Sequence, residues 1–311
     1  MTQQTNPTAP ASPAPAAPAP APTPPGRGPT ARVLLVVGAV VAGLAVLWAA
    51  LFLVDLAMSK TTTTHASYDA APAVELVADG DVTVRVAEGG VEVDRIAHSG
   101  IMSPEYAVEE SATGLVVTHE CDAWLWAASS RCAGELDVTV PADTELVVRT
   151  SNGDVLASGL AGDVELASSN GRIEATAIDG RLEADTSNGD VTVGRATGDV
   201  ELRSSNGSIE VSDVGGELVA DTSNGRIEVE DVAGAARATT SNGRVEVAGV
   251  GGDVHAESSN GDVTVVGDGE PVALTIETSN GEQTIEGPTD PAAARTVEVR
   301  SSNGDVSYLA P

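Results

Sequence analysis

The chain has 311 residues, with 46 acidic against 16 basic side chains and a net charge of −30. A phosphate backbone would be repelled by that charge, which excludes nucleic acid as a partner. Seven aromatic residues within a 41% hydrophobic content exclude a conventional aromatic-rich core; the abundant Val, Ala, Leu and Ile suit thin, repetitive β-packing.

Residues 1–31 hold ten of the seventeen prolines and no acid. They cannot bury enough apolar surface to offset their ordering entropy, so a disordered, partly polyproline-II tail is expected. From Val33 to Val54 no residue is charged. At about 1.5 Å per residue such a helix crosses a hydrocarbon core of roughly 30 Å, so residues 32–55 are expected to span a membrane once. The apolar run exceeds the 7–15 residues typical of a signal peptide and no clear cleavage site follows, which favours an uncleaved anchor. Arg27 and Arg32 before the helix place the tail in the cytoplasm by the positive-inside rule, and the C-terminal part outside. Residues 56–70 read as a linker.

Residues 71–150 carry weak strand signals at Val74–Val77, Val82–Val86, Val91–Ile96, Leu115–Val117 and Leu136–Val140. This membrane-proximal β module is expected to be degenerate coils or a cap. Its two cysteines, Cys121 and Cys132, lie outside the membrane, where a lone pair is most simply a disulfide. Trp124 and Trp126 fall in the enclosed loop and are expected to pack beneath it.

Residues 151–311 are governed by a repeat. Ser-Asn-Gly recurs with its asparagine at Asn152, Asn170, Asn188, Asn206, Asn224, Asn242, Asn260, Asn280 and Asn303, spaced eighteen apart six times and then by 20 and 23. Six before each Asn stands an apolar residue, from Leu146 to Val297; four before stands another, often Ala; two before is always Thr or Ser. Three and five after, Val, Ile and Ala recur, while the intervening columns are charged. That period-two alternation is a strand with one buried and one wet face. Each unit therefore reads as strand, Ser-Asn-Gly turn, strand and a second turn at Gly162, Gly180, Gly198, Gly216, Gly234 or Gly252. Glycine and asparagine at these corners are expected to supply left-handed backbone angles.

An antiparallel meander and a parallel β-solenoid both satisfy this pattern. The solenoid is preferred, because constant spacing stacks Asn on Asn and Val on Val and lets the amides form ladders. The expected fold is thus all-β, a parallel β-solenoid (β-helix) of about eighteen-residue coils preceded by one transmembrane helix. Nine coils about 4.8 Å apart make a rod of roughly 40 Å, with Tyr308 in the segment expected to cap its far end.

Residues 136–155, LDVTVPADTELVVRTSNGDV, with the serial Asn-Gly-Asp-Val and Asn-Gly-Arg-Ile turns after them, resemble the bacterial putative-adhesin family of β-strand-repeat proteins, a domain of unknown function. The resemblance covers about residues 70–308. It implies a membrane-attached, extracytoplasmic β-solenoid with a suggested adhesive role, brings no catalytic residue across, and keeps open a regulatory role near envelope-stress signalling.

No hydrolase elbow, zinc-protease motif or phosphate loop is present, and His65, His98, His119 and His255 are scattered in no metal-ligand spacing. No cofactor is expected. Asp154, Asp190 and Asp262 beside the turns suggest at most weak, diffuse calcium binding, since Arg172, Arg226 and Arg244 interrupt their column. Carboxylates occur in every coil but are uniform and interleaved with arginines, unlike the unequal pair of a glycosidase, so a polysaccharide-active enzyme is a remote alternative. The favoured function is a structural or interaction protein contacting cell-wall polymer or an envelope protein from the membrane. The second reading is an accessory or sensory protein of a membrane signalling system.

Overall fold

The computed structural model describes residues 29–99, 103–121 and 132–311. The expectations for the tail up to residue 28 and for Trp124 and Trp126 lie outside the described residues. The chain divides into two units, Met1–Ala50 and Leu51–Pro311. One α-helix runs from Pro29 to Met58, three residues longer at each end than the expected span, and Val33 to Val54 are all exposed. It is long and apolar enough to cross a membrane.

The β unit holds, among the described residues, a thirteen-stranded and a twelve-stranded sheet. Through the regular repeats every pairing is parallel and each residue meets its equivalent eighteen positions on: Val164 with Leu182, Leu182 with Val200, Val200 with Leu218, and in the other sheet Ile173 with Val191, Val191 with Ile209. Alternate side chains point inward, so like stacks on like in a two-sided core of Val, Leu, Ile and Ala that is essentially solvent-free. Ala184, Ala220 and Ala256 are completely buried in the narrowest column.

Two contacts set the Ser-Asn-Gly corner. The buried Ser204 Oγ accepts the Gly207 amide at 2.9 Å and donates to the Gly189 carbonyl of the preceding coil at 3.2 Å. A Cβ on Gly207 would lie 1.7 Å from that Gly189 oxygen. Glycine is required there by close approach of coil to coil. The expectation of left-handed angles at the corners is therefore corrected: no Ser-Asn-Gly residue and none of the second-corner glycines has a positive φ. Six of the eight positive-φ residues among the described ones form another column, Gly159, Ala177, Arg195, Asp213, Asp231 and Gly249, eighteen apart. There both strands leave one residue out of the ladder without changing register, for Thr176 pairs with Gly194 and Ile178 with Ala196 while Ala177 and Arg195 stand unpaired.

Both ends of the stack depart from chain order. The coil of Ala73–Ala78 and Val82–Val86 lies inside, between the coil of Glu145–Thr150 and that of Gly114–Glu120 with Ala133–Val140. At the other end Thr296–Ser301 pairs with Val254–Ser258, and Ala273–Thr278 lies outside it. The spacings of 20 and 23 provide the chain needed to pass over one coil position and return. Tyr308 is consequently no end cap: it is fully buried, with Val265 on one side and Ile285 on the other. Among the described residues the stack comprises eleven coils once the three antiparallel strands at one end are set aside: the nine of the Ser-Asn-Gly repeat and, within residues 71–150, two of the degenerate coils expected there. Those three are Lys60–Tyr68, Val91–Ser99 and Glu105–Ser111. Lys60–Tyr68 falls within the expected 56–70 linker, which is corrected to a nine-residue edge strand held by Val91–Ser99.

The corner geometry predicts opposite outcomes for two small substitutions. Gly207→Ala forces two backbones apart and lowers the melting temperature markedly. Ala177→Gly removes a left-handed alanine that costs about 1 kcal/mol, leaving stability unchanged or higher. Thermal unfolding followed by circular dichroism checks both; equal destabilisation would contradict the two columns.

Candidate interaction surface

Every asparagine of the repeat is exposed, and together they form one continuous ladder. Asn206 Nδ2 donates to Asn188 Oδ1 at 2.9 Å and to the Ser187 carbonyl at 3.1 Å, and the pattern extends from Asn170 on Asn152 to Asn303 on Asn260 and Asn280 on Asn303. Both amide hydrogens are thus used within the stack. The corner is held rigid by its own residues.

Beside the ladder runs a row of serines, Ser169, Ser187, Ser205, Ser223 and Ser241, one per coil and all exposed. Their hydroxyls make no hydrogen bond among the described residues, in contrast to the buried Thr and Ser hydroxyls one residue earlier, at the ends of the strands. They line a groove of about 630 Å³ that follows the corner from Arg149 to Ser241. Six coils border it, so at roughly 4.8 Å per coil it is over 20 Å long. Charges of both signs alternate along its flank at Arg149, Asp185, Arg203 and Asp221. Arg203 reaches Glu183 at 3.3 Å and Asp185 at 3.7 Å and also bonds Glu201; Arg149 bonds Glu165 at 2.8 Å. Burial pushes the Asp185 carboxyl above the usual carboxylate range against the pull of Arg203, and Glu183 and Glu201 push the same way. Repeating hydroxyls, free of internal partners, with interspersed charges can hydrogen-bond an extended, hydroxyl-rich or charged chain.

The stacked aspartates serve the backbone. Asp154, Asp190 and Asp262 each accept the amide of the next coil, from Arg172, Ser208 and Asp305 at 2.7, 2.9 and 3.0 Å. The histidines stand apart: His65 bonds Asp94 at 2.9 Å, His98 bonds Glu135 at 2.7 Å and His255 bonds Glu298 at 2.7 Å. Among the described residues no three His, Cys, Asp or Glu are grouped to hold a metal. Cys121 and Cys132 are joined as a disulfide with Cα atoms 6.0 Å apart. Asp79 clamps both ends of that loop, accepting the Cys121 amide at 2.9 Å and the Gly134 amide at 2.7 Å. The sequence alone does not reveal the clamp or the free serine row, although the serine column is visible there as the first residue of the Ser-Asn-Gly triplet.

His119 is buried near the same loop, its Nδ1 3.3 Å from the Glu135 carbonyl. Burial lowers its proton affinity below the ordinary 6.5. The unfolded chain therefore takes up a proton that the folded chain refuses, so this contribution to stability is complete above about pH 6.5 and is lost as pH falls below it. His119→Gln should show a smaller drop in melting temperature between pH 7.5 and pH 5 than the wild type; identical drops would contradict a neutral buried imidazole.

These features define a parallel β-solenoid with a periodic polar surface. Residues 116–310 match the family described as Toastrack DUF4097, and the chain belongs to that family. The solved structures it is similar to include a putative adhesin from Bacteroides fragilis (12% identity, 81% of this chain and 97% of that one, TM-score 0.40). Another putative adhesin, from Parabacteroides distasonis, has 14% identity over 80% and 97% with a TM-score of 0.43. A putative lipid binding protein from Parabacteroides distasonis has 12% identity over 80% and 96% with a TM-score of 0.45. No curated protein matches the chain.

Proposed function

We propose that the protein is a membrane-anchored interaction protein of the cell envelope, without catalytic activity, whose solenoid contacts an extended wall polymer along the serine groove. The helix from Pro29 to Met58 anchors it, with the tail in the cytoplasm and the β unit outside. The observation that carries the reading is the row of five serine hydroxyls with no internal partner, repeating once per coil beside charges of both signs. A polymer with its own regular repeat can meet such a row at many weak points, which gives avidity without a deep pocket. Several carboxylates of the coils, among them Glu165, Glu183, Asp154 and Asp190, are engaged in cross-coil ion pairs or backbone hydrogen bonds, which favours a structural role for them over acid–base work.

Co-sedimentation of the full-length protein in detergent micelles with insoluble cell-wall fractions tests this. Binding is expected at low salt and should fall several-fold in Arg149→Ala/Arg203→Ala and in a variant with Ser187, Ser205 and Ser223 changed to Ala. Binding that ignores both variants would sink the groove as the contact surface.

A further inference from the structure

The two ends of the β stack are built differently. At the end nearest the helix in sequence, Tyr68 and Tyr106 come from opposite sheets and their hydroxyls meet at 2.8 Å. The Arg95 guanidinium stacks 4.1 Å from the Tyr106 ring, which closes that end of the core. The outermost coil at the other end, Ala273–Thr278 with Gln283–Ile285, has no such lid. Ile285 is 51% exposed and Leu274 and Ile276 are only half-buried, whereas Val297 and Val299 in the coil beneath are at most 4% exposed.

The backbone of this coil is open along its outer edge from Leu274 onward; just before it Val272 is paired outward with the chain's own segment, donating to the Pro288 carbonyl at 3.4 Å and accepting the Asp290 amide at 3.0 Å. The Ala273 amide bonds back to Arg295 and the Glu286 amide back to Tyr308. In parallel pairing alternate residues face one neighbour, so the amides and carbonyls of Leu274, Ile276, Thr278, Gln283 and Ile285 face away from the stack. Inner coils use the equivalent groups, as when Leu146 donates to Asp163 of the next coil.

Charge selects the occupant. Residues 267–290 contain six acids, Asp268, Glu270, Glu277, Glu282, Glu286 and Asp290, and no base. Asp268 pairs with Arg295 and Glu277 with Arg300. The other four make no ion pair among the described residues. A second copy docked end to end would set these acids against themselves. A basic strand would repeat what Arg149 already does within the stack, where it bonds Glu75 and Glu165 on the coils to either side.

We infer that the open end of the solenoid accepts an extended segment of a partner protein, with alternate apolar and basic residues, as an added strand along Ala273–Thr278. The apolar residues of that segment cover Leu274, Ile276 and Ile285, and its basic residues meet Glu277 and the unpaired acids around it. This site is separate from the serine groove and stands or falls independently of it.

The probes are three synthetic eight-residue peptides alternating Val with Lys, Ser with Lys, and Val with Glu, mixed with the full-length protein in micelles. The Val–Lys peptide is expected to slow amide hydrogen exchange across residues 272–286 about tenfold or more, and Ile276→Asp, at a half-exposed site, to remove that protection. The Ser–Lys and Val–Glu peptides should leave the segment unprotected. Equal protection by Ser–Lys would reduce the effect to charge alone and overturn the proposal. Protection located at Lys60–Tyr68 or Glu105–Ser111 instead would overturn it too. So would concentration-dependent protection of residues 272–286 without peptide, which would assign the end to a second copy of the chain.

Discussion

The structure depends on how closely one coil can sit on the next at the Ser-Asn-Gly corner. A strand spacing of about 4.8 Å is easily met along the strands, but at the corner, where backbone bonds such as Asn206 to the Ser187 carbonyl and the asparagine ladder carry the pairing, the same spacing also requires backbone to pass close to backbone. Here the glycine admits the carbonyl of the preceding coil, and the buried hydroxyl satisfies that carbonyl and its own glycine amide together. Leaving either group unmatched in the interior would cost about 1–3 kcal/mol at every coil. With the corner fixed, each strand inherits its register and every inward column falls on itself.

The same constraint shapes the surface. A corner that stacks like on like produces an amide ladder, a serine row and a flank of alternating charge without any further design. The proposed interaction surface is therefore long, shallow and periodic. A closed pocket with convergent polar groups, the usual setting for catalysis, would require the repeat to be broken. The ends are where the repeat is broken, and they carry the features that differ from coil to coil: the tyrosine lid, the disulfide loop clamped by Asp79, and the acidic open coil.

Much of this was legible in the residues. Eighteen-residue spacing fixed the parallel pairing, and alternation assigned Leu146, Val148, Val155 and their equivalents to the core. Three things were not legible, each for a physical reason. The left-handed column contains Gly, Ala, Arg and Asp, so no shared chemistry marks it. Strand Lys60–Tyr68, KTTTTHASY, lacks apolar alternation because it is an exposed edge, and so it read as linker. The exchange of coil order at the C-terminal end was signalled only by spacings of 20 and 23, which look like loop insertions until the pairing of Asn303 with Asn260 is seen.

Deletion of one whole unit tests the central claim most directly. Removing residues 205–222 takes out eighteen residues between equivalent points of two coils and leaves every corner contact able to re-form. The account predicts a cooperative thermal transition and native β-type circular dichroism for this variant, and loss of both when only residues 205–213 are removed. If the eighteen-residue deletion unfolds as the nine-residue one does, coil-over-coil registry is not what holds the protein together.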